Sequence, residues 1–409
     1  MTDQLAAVPA PEPATEPAPH GGPVTKTRVF FQRYWQRRRP GRPTPDWVVS
    51  FTYRTWLVAL LFKLLGSSWD MSWHFMWIRD DFAPPHLLNS VGTAMVCALV
   101  IIHTYTGMAC TRRSLRLMQA GTVTFLLAAP LDVLNHRISG LDLTAWSPTH
   151  AMLYIGTAVM ILGAIDGWLS YGKPGKTRTL TLVALWAFLL ETAYFANGQQ
   201  EYGILALRAW ERGEPGAEPS LLQFAADDLG RTVDRDAVIH FALPIPDWVY
   251  PLWGIGVMAL LLIAARAVVR VRWTATAVAG AYVAYRAAIW PLLVAGGFPP
   301  STVPFYLVFV GLAVDLAFLL PLARSRAQRV RSARLRAPLG GVLVAALGFG
   351  ALWVQAQLRP WLLGDVHTES APPVDYWTLP VVLVAVGVLW AAVEPLAGRL
   401  RTGAGSGAA

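Results

Sequence analysis

Ten stretches of about 20 mostly apolar residues run through this chain. A helix rises 1.5 Å per residue, so each is long enough to cross the roughly 30 Å hydrocarbon core of a bilayer. In lipid every backbone polar group must find a partner within the protein, which leaves helices or closed barrels. No strand pattern appears anywhere in the sequence, so the expected fold is all-α, a polytopic helical bundle integral to the membrane. The predicted spans are roughly 53–76, 86–107, 114–135, 149–171, 178–197, 248–269, 273–295, 302–322, 337–357 and 376–396. Composition agrees, since only 14% of residues are charged where a soluble domain carries about 25%.

The connecting segments set the orientation. KTRVFFQRYWQRRRPGR precedes the first span, TRRSLR follows the second and GKPGKTR the fourth. RAVVRVR follows the sixth, RSRAQRVRSARLR the eighth, and GRLRTG ends the chain. With ten spans all six fall on one side, which by the positive-inside rule puts both termini in the cytoplasm of a multi-pass inner-membrane protein. The net charge of +9 lies mostly in these segments, so its partner is the bilayer and not nucleic acid.

The chain divides accordingly. Residues 1–50 form a basic cytoplasmic arm, disordered over its Pro- and Ala-rich first 24 residues. Five spans follow in 51–197, then a polar extracytoplasmic loop at 198–247, five further spans in 248–398 and a short tail at 399–409. FFQRYWQRR in the arm suits either an amphipathic helix on the inner leaflet or a solvated basic segment. ILALRAWER suits a surface helix within the long loop. Cys97 and Cys110 have neither CxxC spacing nor a disulfide role and read as packing residues.

One outer helix end carries chemistry. In WDMSWHFMWIRDDFAPPH, residues 69–86, Asp70 and His74 stand four apart at the end of the first span, a spacing that puts both side chains on one helix face. Pro84 and Pro85 suit a helix start, which sets His86 at the same depth on the next helix. The pattern recurs in LDVLNHRISGLDLTAWSPTH, residues 131–150, with Asp132 and His136 four apart and Pro148 just before His150. HLLNSVGTAMV from 86 and HAMLYIGTAVM from 150 share GTA in register, so a two-helix unit is duplicated. Each copy offers two imidazoles and a carboxylate, a donor set for copper, zinc or iron that leaves a coordination position open.

At these residues the sequence resembles the copper-binding segment in the third subunit of particulate methane monooxygenase and ammonia monooxygenase. The resemblance rests on Asp70, Ser72, Trp73, His74, Ile78, Arg79, Asp80, Pro84 and His86, and covers roughly residues 66–160, about a quarter of the chain. It implies that Asp70, His74 and His86 bind copper and form the catalytic centre, with Asp132, His136 and His150 as a second metal position. Asp132 stands where that family has an amide. The resemblance further implies dioxygen activation, hydroxylation of a small apolar substrate arriving from the bilayer, and partner membrane subunits or a homo-oligomer. A different class of function suits the same residues: a non-catalytic copper acquisition, transport or assembly factor.

Other ionisable groups fall inside the spans. Glu191 is expected either beside a ligating histidine or paired with Lys63, and Arg286 is expected to pair with Asp315. Asp80 and Asp81 read as loop-ordering charges, His103 as packing, and His240 and His367 as outer-loop groups placed to deliver metal. No P-loop, GxSxG, CxxC or HExxH occurs, so phosphoryl transfer, serine hydrolysis and zincin chemistry find no support.

Overall fold

The computed structural model describes residues 28, 32–77, 82–139, 144–319, 326–363 and 374–402. It is 80% helix, and among the described residues strand pairing is confined to one isolated bridge between Arg42 and Met108. Helices α1 (Asp46–Trp73), α2 (Pro84–Thr106), α3 (Arg112–Ser139) and α4 (Pro148–Tyr171) lead into α5 (Lys176–Ala193) and α6 (Phe195–Glu211). The short α7 (Pro219–Asp228) and α8 (Arg235–Ala242) follow. Then come α9 (Val249–Val269), α10 (Thr274–Ala295), α11 (Tyr306–Leu319), α12 (Arg326–Leu363) and α13 (Leu379–Thr402).

Among the described residues eight helices are long and apolar enough to cross a membrane, and nine if α5 and α6, bent by 52° at their junction, form one span. α11 is apolar but only 14 residues long. Each of the ten expected spans therefore falls on a helix, although two differ from a straight crossing.

Two tight hairpins build the N-terminal half: α1 packs along α2, and α3 along α4. Glycines bring their backbones together. A Cβ at Gly92 would lie 2.6 Å from the Ala59 carbonyl, and one at Gly121 would lie 2.4 Å from the Met160 nitrogen. Gly156 faces Phe125 backbone in the same way. The shared GTA thus has a structural meaning, because Gly92 and Gly156 each seat the second helix of a unit on the first. α5 sits centrally, against α1, α4, α9 and α10, and joins the hairpins to the C-terminal bundle.

The segment 198–247 is not an irregular loop. α6, α7 and α8 enclose a small apolar core of their own, including Leu207, Leu221, Val238 and Phe241, into which Phe75 from the end of α1 inserts. This helical cap lies over the end of the hairpins where the Asp/His motifs stand. At the other end the basic arm docks on the α2–α3 turn. Arg38 N–H donates to the Tyr105 carbonyl, Gly41 N–H donates to the Cys110 carbonyl, and Trp35 packs on Tyr105. Residues 32–34 of the arm are helical, and Trp35 to Arg39 stay exposed while the backbone at Arg38 and Gly41 docks on this turn.

Candidate metal centre

Asp70 and His74 occupy the last turn of α1 and the residue after it, where helical spacing stacks them. His86 enters from α2, which begins at Pro84 as the proline pair requires. Asp70 Oδ1 lies 2.9 Å from His86 Nε2 and 3.4 Å from His74 Nε2. One ligand atom from each of the three lies within 4.8 Å of the other two.

The second motif adjoins the first. Asp132 Oδ1 is 3.5 Å from His150 Nε2 and accepts a 2.5 Å hydrogen bond from Thr149. Ser147 caps α4 by accepting from the His150 N–H, and the His150 Nδ1 lies 3.2 Å from the Thr144 carbonyl. Donation from Nδ1 to that carbonyl leaves Nε2 turned toward Asp132, the arrangement that orients a ligating histidine. Pro130 removes a backbone hydrogen bond from α3 just before Asp132. The His74 ring stacks against His150 with centroids 6.3 Å apart, so the two motifs form one continuous patch. His136 lies on α3 one turn past Asp132, and its side chain falls outside the described residues. Ile78, Arg79, Asp80, Asp81 and His367 also lie outside them.

These groups line one end of a cavity of about 490 Å³ bounded by α1–α4, with Ala145, Gln199 and Phe241 over that end. Trp69, Trp73, Trp77 and Phe298 form an aromatic cluster beside it. Liganding atoms about 2.1 Å from a tetrahedral first-row ion stand about 3.4 Å from one another. The 3.4 Å separation to His74 equals that spacing, while the 2.9 Å one to His86 is a hydrogen-bond distance that would have to open to admit an ion. Three protein donors facing a cavity leave a position for an exogenous ligand.

A second buried polar cluster lies deeper. Arg286 reaches Glu191 at 3.5 Å and Glu201 at 3.4 Å. Glu201, fully buried, also accepts from the Tyr194 and Tyr250 hydroxyls at 2.9 and 3.2 Å. The expected Arg286–Asp315 pair is not formed. Asp315 instead pairs with Arg266 at 3.0 Å, because Arg286 looks across to α5 and α6 while Asp315 faces α9. Glu191 contacts neither a ligating histidine nor Lys63; it accepts from Ser68 at 2.5 Å. Lys63 is held by Asn89 and Thr93, both at 2.9 Å, and by the face of Phe125. A small cavity of about 40 Å³ links Lys63, Glu191 and Arg286, enough for ordered water. It shares Ser67, Met71, Tyr154 and Thr157 with the larger one.

His103 packs as expected, accepting from Trp56 Nε1 at 3.0 Å with its Nδ1 2.8 Å from the Met108 carbonyl. His240 stands on α8 beside Asp228, at 2.7 Å. Cys97 and Cys110 are free thiols. The tyrosines around Glu201 and the buried Arg359, which bonds Thr302, are not among the residues singled out by sequence pattern. The polar run NGQQE at the end of an apolar span was the available signal. No family model, no curated protein and no solved structure matches the chain.

Proposed function

We propose that the chain is an integral membrane metal protein whose Asp70, His74 and His86 hold a first-row transition ion, with Asp132, His136 and His150 as an adjoining position. The observation that supports this most directly is the convergence of two Nε2 atoms on one carboxylate oxygen at one end of the cavity. Ionisable groups at such a place are costly and are usually functional.

Copper follows from the likeness to the monooxygenase subunit; the donor set alone suits zinc and iron equally. A copper ion held there supplies one-electron redox chemistry and an open coordination position. The reaction proposed is oxidation of a small apolar substrate with dioxygen. The chain's own contribution is to orient donors and limit water. Thr149 fixes the Asp132 carboxylate, the Thr144 carbonyl fixes the His150 ring, and the α6–α8 cap covers the outer face. The topology proposed is ten crossings with both termini cytoplasmic and the metal centre on the extracytoplasmic side. It counts the bent α5–α6 pair and the short α11 as crossings.

Metal content by mass spectrometry on the chain purified in mild detergent tests this, beside a His74→Ala/His86→Ala variant. One or two copper ions per chain, lost in the variant, support the reading. Zinc or iron would keep the site and remove its link to copper oxidation. Copper without substrate oxidation would leave the non-catalytic binding protein. A folded chain that takes up no metal after reconstitution would sink all three.

A further inference from the structure

The cavity behind the Asp/His patch has a direction. On α2 its wall is His86, Asn89, Ser90, Thr93, Ala94 and Cys97, the i, i+3, i+4, i+7 series of one helix face. His86 to Cys97 is eleven residues, or about 17 Å along the helix. Opposite, on α3, the wall runs from Asp132 through Ala129 to Leu126 and Phe125. Imidazoles, carboxylates and Gln199 thus crowd one end; Asn89, Ser90 and Thr93 follow along α2, and Ala94, Cys97, Leu126 and Phe125 line the far end, where the Lys63 ammonium, held by Asn89 and Thr93, lies over the Phe125 ring.

The cavity also has a side opening. Ser90 and Ala94 on α2, and Leu126 and Ala129 on α3, line the cavity and are exposed on the surface at once. They lie on the two helices that form no glycine seam with each other, since the seams close α1 on α2 and α3 on α4. Three of the four lip residues are small. Around them the surface is apolar, with Leu87, Val91, Val123 and Leu127 all exposed. In a bilayer this gap faces acyl chains.

We infer that the gap between the two repeats admits a single-chain amphiphile from the bilayer, its polar end at the Asp/His patch and its alkyl chain along α2 to Cys97. As a substrate assignment this rests on the metal-centre reading above; as a binding site it does not. The length of the slot and its opening at hydrocarbon depth select an unbranched chain with a small hydroxyl or similar head, its far end against Ala94, Cys97 and Leu126. A compact polar solute would leave the inner half empty.

Cys97 supplies the readout, because Cys110 is fully buried. Metal-free protein in lipid nanodiscs would be treated with N-ethylmaleimide and followed by intact mass, with 1-decanol as the probe and glycerol as control. Labelling of Cys97 should fall tenfold or more with 1-decanol and not with glycerol. Ala94→Trp/Ala129→Trp, which adds bulk only at the exposed lip, should slow labelling by itself and abolish the effect of 1-decanol. Equal rates with and without 1-decanol would overturn the inference. So would a Cys97 that never reacts, whether the gap is shut or a second copy covers it. Decanol protection in a chain that takes up no metal keeps the slot and removes the metal centre; metal uptake without protection does the reverse.

Discussion

Asp70 Oδ1 stands between two imidazole nitrogens, and each neighbour comes from a different helix. Its removal should therefore cost more than one donor, because it also sets how far apart His74 and His86 are held. Asp70→Ala is expected to weaken metal binding by well over the 10–100-fold typical of losing an orienting partner. Thr149→Ala, which frees the Asp132 carboxylate without deleting a donor, should stay within that range. A competition titration against a chelator separates the two, and equal affinities would show that Asp70 is not a ligand. Arg286 poses the opposite problem, a cation with two buried carboxylates. Arg286→Met strands both and should destabilise the fold by about 3–5 kcal/mol. Adding Glu201→Gln should restore part of that loss, because one uncompensated charge then disappears. Denaturation midpoints of the two single variants and the double variant would show this as a non-additive cycle.

At the scale of elements, the hairpins depend on close backbone approach. A Cβ at Gly121 would meet the Met160 nitrogen at 2.4 Å and the Gly156 carbonyl at 2.5 Å, and backbone cannot swing aside. Gly121→Ala is thus expected to cost about 1–3 kcal/mol, as overpacking does. Gly280→Ala on α10 meets nothing within 4 Å and should be neutral or stabilising by up to about 1 kcal/mol. Thermal midpoints of the pair would check both signs. The cap has its own dependence on acid. Asp234 closes the start of α8, where the Ala237 N–H and then Arg231 hold its carboxyl below the usual carboxylate range. A folded value below the unfolded one means that its stabilisation is present above about pH 4 and fades as pH falls through the folded value. Pepsin cleavage within 231–242 should rise as pH drops through that window, and Asp234→Asn should flatten the rise. The site's first half was legible in the sequence because helix periodicity and proline placement are local rules, which fixed Asp70, His74 and His86 directly. The contact between His74 and His150 was not, since it depends on how two hairpins lean together. Nor was the partner of Arg286: matched depth on consecutive spans suggested Asp315, but rotation about the helix axis decides which neighbour a side chain meets.

For the whole molecule the matter is which way the bundle stands in the membrane. Apolar length predicted a helix at each expected span, though not α7 and α8, and length does not say whether a bent pair or a 14-residue helix crosses. Charge helps, because the docked basic arm, the Arg112–Arg116 turn and the Lys173–Arg178 turn lie at the end of the hairpins opposite the Asp/His patch. In the second half the same rule reaches one side at Arg270–Arg272 and at Arg399 only if α5–α6 and α11 each cross. If α11 merely dips into the bilayer, the parity changes and the two ends of α12 trade sides. Alkaline phosphatase, active only outside the cytoplasm, distinguishes the cases when fused after chosen residues. Fusions after Gly213 and Gly297 should be active, and those after Lys173, Arg272 and Arg401 inactive. Activity after Arg401 with inactivity after Arg272 would show that α11 does not cross. The proposed outside placement of the Asp/His patch would survive, since it depends on the first four helices alone. Activity after Lys173 would be more damaging, because it would turn the hairpins over and place the Asp/His patch in the cytoplasm.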